Sequence, residues 1–160
     1  MGIMKKDSVL GWLLVSVQIL VFVVFILLPW REPSALSLAI GGAMVIAATL
    51  FLVWAFTSLG KALTANPVPL ADATLRTGGP FALVRHPIYS GLLFGLLGLT
   101  IIMGSWWTMA WWFISVLFFW GKSRWEDTLL RSKYEDAWVT WAANTPALVP
   151  FKASRKRFAP

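Results

Sequence analysis

The chain has 160 residues, of which 58% are hydrophobic, and its mean hydropathy is +0.72. Soluble domains run at about 45–50% apolar, so a single membrane-embedded domain over residues 1–160 is indicated. The formal net charge of +7 comes from basic residues that flank apolar runs, which argues for topology and anionic-lipid contact and against nucleic acid; with no cysteine and one histidine, disulfides, thiolate chemistry and a metal-ligand set are excluded as well.

Residues 1–7 form a short basic head, and 9–28 is an uncharged apolar run of about the 20 residues needed to cross a bilayer. The run is longer than a signal-peptide core and no small-residue cleavage site follows, so it reads as an uncleaved anchor. Pro29-Trp30-Arg31-Glu32-Pro33 is a turn, and 35–58 gives a second span. Its Gly41-Gly42-Ala43 and Ala47-Ala48 would let a neighbouring helix approach closely in lipid. Residues 1–58 are therefore a two-span anchor.

Polarity rises over 60–85, where Asn66-Pro67-Val68-Pro69 and Gly78-Gly79-Pro80 rule out a continuous helix and predict an ordered loop on one membrane face. Segments 88–103 and 106–120 are apolar, short, and broken at Gly104-Ser105, the pattern of a helical hairpin. Over 122–143, Trp125, Leu129, Leu130, Tyr134, Trp138 and Trp141 recur among charged residues, so the last span should continue into an amphipathic helix that Pro146 and Pro150 end. A core at 59–151 is then followed by a basic tail, 152–160. Eleven tryptophans suit interfacial belts. Lys5, Lys6, Lys61, Arg76, Arg85 and the basic residues after Gly121 lie on one side and only Arg31 on the other. The positive-inside rule then puts both termini and the central loop in the cytoplasm, with four crossings, in a plasma (inner) membrane. The expected fold is an all-α integral membrane protein of about four transmembrane helices, including a hairpin, followed by a cytoplasmic amphipathic helix.

The most chemically suggestive stretch is Gly78-Gly79-Pro80-Phe81-Ala82-Leu83-Val84-Arg85-His86-Pro87-Ile88-Tyr89-Ser90-Gly91. Pro87 fits the first turn of a helix, where its missing N–H costs nothing and its φ is already helical. That sets His86 at the helix mouth beside Arg85, where free backbone N–H groups add partial positive charge and would attract a carboxylate or phosphate. A second polar cluster, Glu126 and Asp127, opens the charged helix. A hairpin that folds back on itself brings the two clusters together, with cations on one wall and carboxylates on the other, as a zwitterionic ligand requires.

These residues carry a resemblance. Gly79-Pro80-Phe81, Val84-Arg85-His86-Pro87-Ile88-Tyr89 and Gly91 are similar to the G-P-[YF]-x-x-V-R-H-P-x-Y-x-G pattern of the isoprenylcysteine carboxyl methyltransferases and their phospholipid methyltransferase relatives. Asn66-Pro67 with Pro69 resembles the proline-rich lead-in of bacterial members, Glu126-Asp127-Thr128-Leu129-Leu130 the E-E-x-x-L region, and Pro146 with Leu148-Val149-Pro150 the terminal P-x-L-I-P. The resemblance spans roughly 58–151. It implies a membrane-helix bundle that binds S-adenosyl-L-methionine in a cytoplasm-facing pocket and takes a lipophilic acceptor from the bilayer: an isoprenylcysteine-like carboxylate, a lipid head group or another small hydrophobic nucleophile. By position, Val84, His86, Pro87, Tyr89, Glu126 and Leu130 would contact the cofactor, with His86 toward its carboxylate and Glu126 toward its ribose or amino group. Arg85, His86 and Tyr89 would be the catalytic constellation. Tyr89, Trp138 and Trp141 could face the sulfonium, and the two tryptophans the acceptor. The family's Y-x-x-Y before an arginine is here Trp138 and Trp141 followed by Ala143-Asn144-Thr145, which points away from prenylcysteine toward a different lipophilic acceptor.

Two other readings stay open at this level. Membrane sterol reductases resemble the same C-terminal fold, with Lys133-Tyr134 and Trp138 similar to their K-Y-x-x-x-W pattern, which would put NADPH in the pocket; the chain lacks their additional spans and a basic cluster for a 2′-phosphate. A non-catalytic membrane subunit would use the Gly/Ala face to bind another membrane protein.

Overall fold

A computed structural model describes residues 2–60, 64, 66, 68, 69 and 73–151, the first four of these as backbone only. The expected basic tail at 152–160, and Lys61 and Pro67 of the loop, lie outside the described residues. Every regular element among the described residues is a helix: α1 (Gly2–Leu27), α2 (Ala35–Leu59), α3 (Pro80–Leu83), α4 (Pro87–Met103) and α5 (Trp106–Asn144).

Helices α1 and α2 are long and apolar enough to cross a bilayer, and α4, at 17 residues, is a shorter apolar helix. Leu13, Ile19, Leu20 and Ile26 of α1 and Leu36, Ile46 and Leu50 of α2 are exposed. An aqueous surface would not tolerate so much apolar area, whereas lipid favours it. The protein is an all-α membrane protein. α5 begins with the apolar stretch 106–120, whose Trp106, Trp107, Phe113, Leu117 and Trp120 also face outward, and then turns polar without a break in the helix.

The helix ends follow from local chemistry. Ser34 caps α2 by accepting the Ser37 N–H at 3.1 Å. Gly104 closes α4 in the left-handed region at φ +57°, its N–H donating to the Thr100 carbonyl, and Ser105 opens α5. The two turns at this end of the bundle meet, since the Arg31 N–H donates to the Met103 carbonyl at 3.0 Å.

The broadest helix contact is α2 against α4, and glycine makes it possible. Gly91, Gly95 and Gly98 recur every three or four residues on one face of α4 and meet Leu52, Ala48 and Gly41 of α2. A Cβ on Gly98 would lie 2.7 Å from the Gly41 carbonyl oxygen, so the backbones touch. In lipid, where apolar burial drives association only weakly, such close van der Waals contact is what holds helices together. The small-residue face read from α2 thus packs within the chain. α1 joins more loosely, with Phe25 buried against Leu96 and Met103, and Trp111 Nε1 donating to the Val21 carbonyl at 2.9 Å.

The amphipathic continuation of the last span differs from expectation in one respect. At Glu135 the backbone leaves the helix, with φ 46° and ψ −119°, a region that favours glycine and strains a residue with a Cβ. The bend turns 136–144 back over the α4 mouth.

The glycine contact predicts that Gly98→Val, which forces a branched side chain onto the Gly41 carbonyl, lowers stability by about 1–3 kcal/mol. A Cβ at Gly42 meets nothing within 4 Å, so Gly42→Ala should be neutral or slightly stabilising. Unfolding of both variants in detergent by denaturant titration checks the contrast.

Candidate functional site

The site forms where the α4 mouth, the middle of α5 and the segment after α5 converge. Pro87 occupies the first turn of α4 and His86 is the residue before the helix, as the sequence predicts. The N–H groups of Arg85 and His86 donate to the carbonyls of Pro146 at 2.8 Å and Ala147 at 3.0 Å. Ser90 Oγ donates to the Leu148 carbonyl at 2.6 Å. The terminal proline motif therefore straps the Arg85-His86 backbone in place.

The side chains form one network. Arg85 grips Asp127 with two parallel bonds, Nε to Oδ1 at 3.2 Å and Nη2 to Oδ2 at 2.7 Å, while Nη1 donates to the Thr145 carbonyl at 2.6 Å. The His86 ring is buried between two carboxylates, with Nε2 3.0 Å from Asp127 Oδ1 and Nδ1 3.4 Å from Glu126 Oε2. An imidazole that faces an acceptor at each nitrogen is satisfied only when both carry protons. Burial alone would push its pKa down, but hydrogen bonds and charge from Asp127 and Glu126 outweigh that and raise it to about 9. Asp127 moves the other way: burial would raise it, but His86 and Arg85 hold it below the ordinary carboxylate value. Tyr89 stacks on the His86 ring, 5.5 Å between centroids and 8° from parallel, and its hydroxyl donates to Glu126 Oε2 at 2.8 Å.

Beside this network lies a cavity of about 550 Å³, within the range of small-molecule sites. Arg85, His86, Pro87, Tyr89, Glu126, Leu130 and Trp141 all line it. Of the other residues singled out from the sequence, Val84 is buried and outside that lining, and Trp138 stands against the Arg85 guanidinium, 5.6 Å from its ring. Trp141 is fixed by donating from Nε1 to the Phe81 carbonyl at 3.1 Å. The cavity is two-natured. Arg76, Glu126 and Tyr134 supply polar groups to its lining, and Phe56, Leu59, Ile88 and Leu92 apolar ones. Tyr134 ties the loop to α5 by donating to the Ala73 carbonyl at 2.7 Å.

Several cavity residues escaped the sequence reading, three of them charged or amide side chains. Lys122 and Gln18 line the wall from α5 and α1, and Arg76 from the loop. Lys122 sits one helical turn before Glu126, a spacing that reads as an ordinary surface pair, and nothing local marks Gln18 as its partner.

Fold and site together define a class: a membrane-helix bundle with a charged ligand cavity at one end. Residues 36–137 match the family model described as phospholipid methyltransferase, which covers more than half of the chain, and the chain belongs to this family of membrane methyltransferases. Neither the curated proteins nor the solved structures give a match.

Because the folded-state pKa of His86 is raised from 6.5 to about 9, its stabilising contribution is complete below pH 6.5 and lost as pH climbs through about 9. Thermal unfolding across that window should show a falling midpoint, and His86→Gln should remove most of the fall. Asp127→Ala, which leaves Arg85 and His86 buried without their acceptor, should cost about 3–5 kcal/mol, and Asp127→Asn less, measured by the same unfolding experiment at neutral pH.

Proposed function

We propose that the protein transfers a methyl group from S-adenosyl-L-methionine to a lipophilic acceptor at the cytoplasmic face of the membrane. The observation that carries this reading is the cavity shared by the His86–Glu126 pair and an apolar wall, built almost entirely from the family-matched segment. Its donor set fits the cofactor. The cavity offers a carboxylate for ribose hydroxyls or an amino group, cationic side chains for a carboxylate, and aromatic faces in Phe81, Tyr89 and Trp141 for a flat ring or a sulfonium. S-Adenosyl-L-methionine supplies a methyl on a positively charged sulfur, an electrophile that needs only a well-placed lone pair.

The protein's part is then to hold and to exclude water. Glu126 Oε2 is held by Tyr89 and His86, so the carboxylate is orientated before a ligand arrives, and Oε1, which has no hydrogen bond among the described residues, can accept one from a ligand. Arg85 is bonded to Asp127 and the Thr145 carbonyl, and through Asp127 it positions His86. Phe81, Leu130 and Trp141 shield the reacting centre. Arg76, Arg85, Lys122, Arg124, Arg131 and Lys133 gather near this end of the bundle and Arg31 is at the other, which supports a cytoplasmic site and cytoplasmic termini by the positive-inside rule.

Calorimetric titration of the detergent-solubilised protein with S-adenosyl-L-methionine, and separately with NADPH, tests the reading. We expect the sulfonium cofactor to bind and Glu126→Gln to weaken it about 10–100-fold, the worth of a hydrogen bond to a charged group. Tighter binding of NADPH, or wild-type affinity in Glu126→Gln, would contradict it.

A further inference from the structure

The amino-acid end of S-adenosyl-L-methionine carries a carboxylate, and the donors that the sequence offers for it at the α4 mouth are already engaged. Both ring nitrogens of His86 face protein carboxylates. Arg85 spends Nε and Nη2 on Asp127 and Nη1 on the carbonyls of Ala142 and Thr145. The two backbone N–H groups before Pro87 donate to Pro146 and Ala147, and Pro87 has none to give. Lys122, another cation of the lining, donates to Gln18 and has the Glu126 charge acting on it.

Arg76 is the exception. It lines the same cavity and is exposed, and among the described residues it makes no hydrogen bond, ion pair or ring contact. A guanidinium has five N–H donors and no acceptor, so all five are free for water or for an anionic group in the cavity. The backbone keeps Arg76 there. Three residues before it, the Ala73 carbonyl accepts from the Tyr134 hydroxyl of α5 at 2.7 Å. Three residues after it, Gly79 turns at φ +60° into α3, whose Phe81 carbonyl holds Trp141. Tyr134, Phe81 and Trp141 line the cavity themselves, so Arg76 hangs between two points fixed to its wall. A loop ordered in advance loses less entropy when a ligand binds.

We propose that Arg76 holds the carboxylate of the cofactor's amino-acid end and sets the preference for a ligand that has one. The inference rests on the methyltransferase reading and deepens it: the carboxylate moves from His86 to a loop residue outside the Arg-His-Pro motif, and Glu126 is left for the amino group or the ribose. A planar guanidinium meets a carboxylate with two parallel bonds, which a point charge cannot do. A zwitterionic end needs one cation and one carboxylate. Arg76 and Glu126 Oε1 are the charged side-chain ends of the lining that have no hydrogen bond among the described residues.

The test titrates the full chain, in nanodiscs of zwitterionic lipid, with S-adenosyl-L-methionine and with its decarboxylated form, which keeps the adenine, ribose, sulfonium and amine and lacks only the carboxylate. Wild type should bind the decarboxylated form about tenfold more weakly, the lower end of the worth of a hydrogen bond to a charged group, because Arg76 is exposed. Arg76→Met should lose about tenfold in affinity for S-adenosyl-L-methionine and none for the decarboxylated form, so that the preference disappears. Arg76→Lys should recover part of it, and Arg76→Glu should reverse it. Glu126→Gln is the contrast: it should weaken both ligands and keep the preference. Since Arg76 has no protein partner among the described residues, the thermal midpoint of Arg76→Met should match that of wild type. Wild-type affinity for S-adenosyl-L-methionine in Arg76→Met, an equal loss for both ligands, or no preference in wild type would overturn the proposal. The two levels separate: cofactor binding with a preference indifferent to Arg76 refutes this inference alone, and binding of neither form by wild type refutes the methyltransferase reading.

Discussion

Asp127 accepts hydrogen bonds from the Arg85 guanidinium and the His86 ring at once, and the geometry of the site depends on that double acceptance. It ties the mouth of α4 to the middle of α5, so the hairpin that begins at Gly104 is closed at its open end. It also turns His86 so that its other nitrogen meets Glu126, which Tyr89 holds from the side. Buried charges are costly unless every one is paired. Here the pairing extends to backbone carbonyls after α5, so the segment 145–148 is part of the same polar unit. Asp127 reads from sequence as the second of two similar acidic residues, but it serves the architecture and Glu126 faces the cavity.

Two kinds of packing surround that unit. Between α2 and α4 the glycine ladder brings backbones into contact, a rigid base for the helix whose first turn carries Tyr89. α1 is fastened by scattered contacts: Phe22 and Phe25 in apolar clusters, the Trp111 and Gln18–Lys122 hydrogen bonds, and the bonds from Asn66 to Ser8.

Much of this was legible in the sequence, for physical reasons that can be named. The spans follow from uninterrupted apolar length, and the turn at Gly104-Ser105 from a glycine that can enter the left-handed region just before α5 begins. The place of His86 follows from a proline that fits only the first helical turn. The meeting of Arg85 and His86 with Glu126 and Asp127 follows from a hairpin whose arms are similar in length. What could not be read is of another kind. The break at Glu135 falls on a residue that does not favour it, and beyond it Trp138 meets Arg85 and Trp141 the Phe81 carbonyl, contacts far away in the chain. Trp138 was expected among ligand-facing aromatics and instead covers Arg85, because helical periodicity gives a residue's face only until the helix bends. The Gln18–Lys122 bond joins positions far apart in the chain, and local pattern does not say which helix stands next to which.

The claim on which this account rests is that the one histidine is a doubly bonded imidazolium, and its being the chain's sole histidine makes the claim directly measurable. Selective ¹⁵N-histidine labelling gives signals from one residue, whose nitrogen shifts report the charge and both hydrogen bonds. At neutral pH the account predicts both nitrogens protonated, a titration near pH 9, a downward move of that titration in Asp127→Asn, and a change in the Nδ1 signal when S-adenosyl-L-methionine is added. A neutral ring at neutral pH, or signals indifferent to both Asp127 and the cofactor, would contradict it.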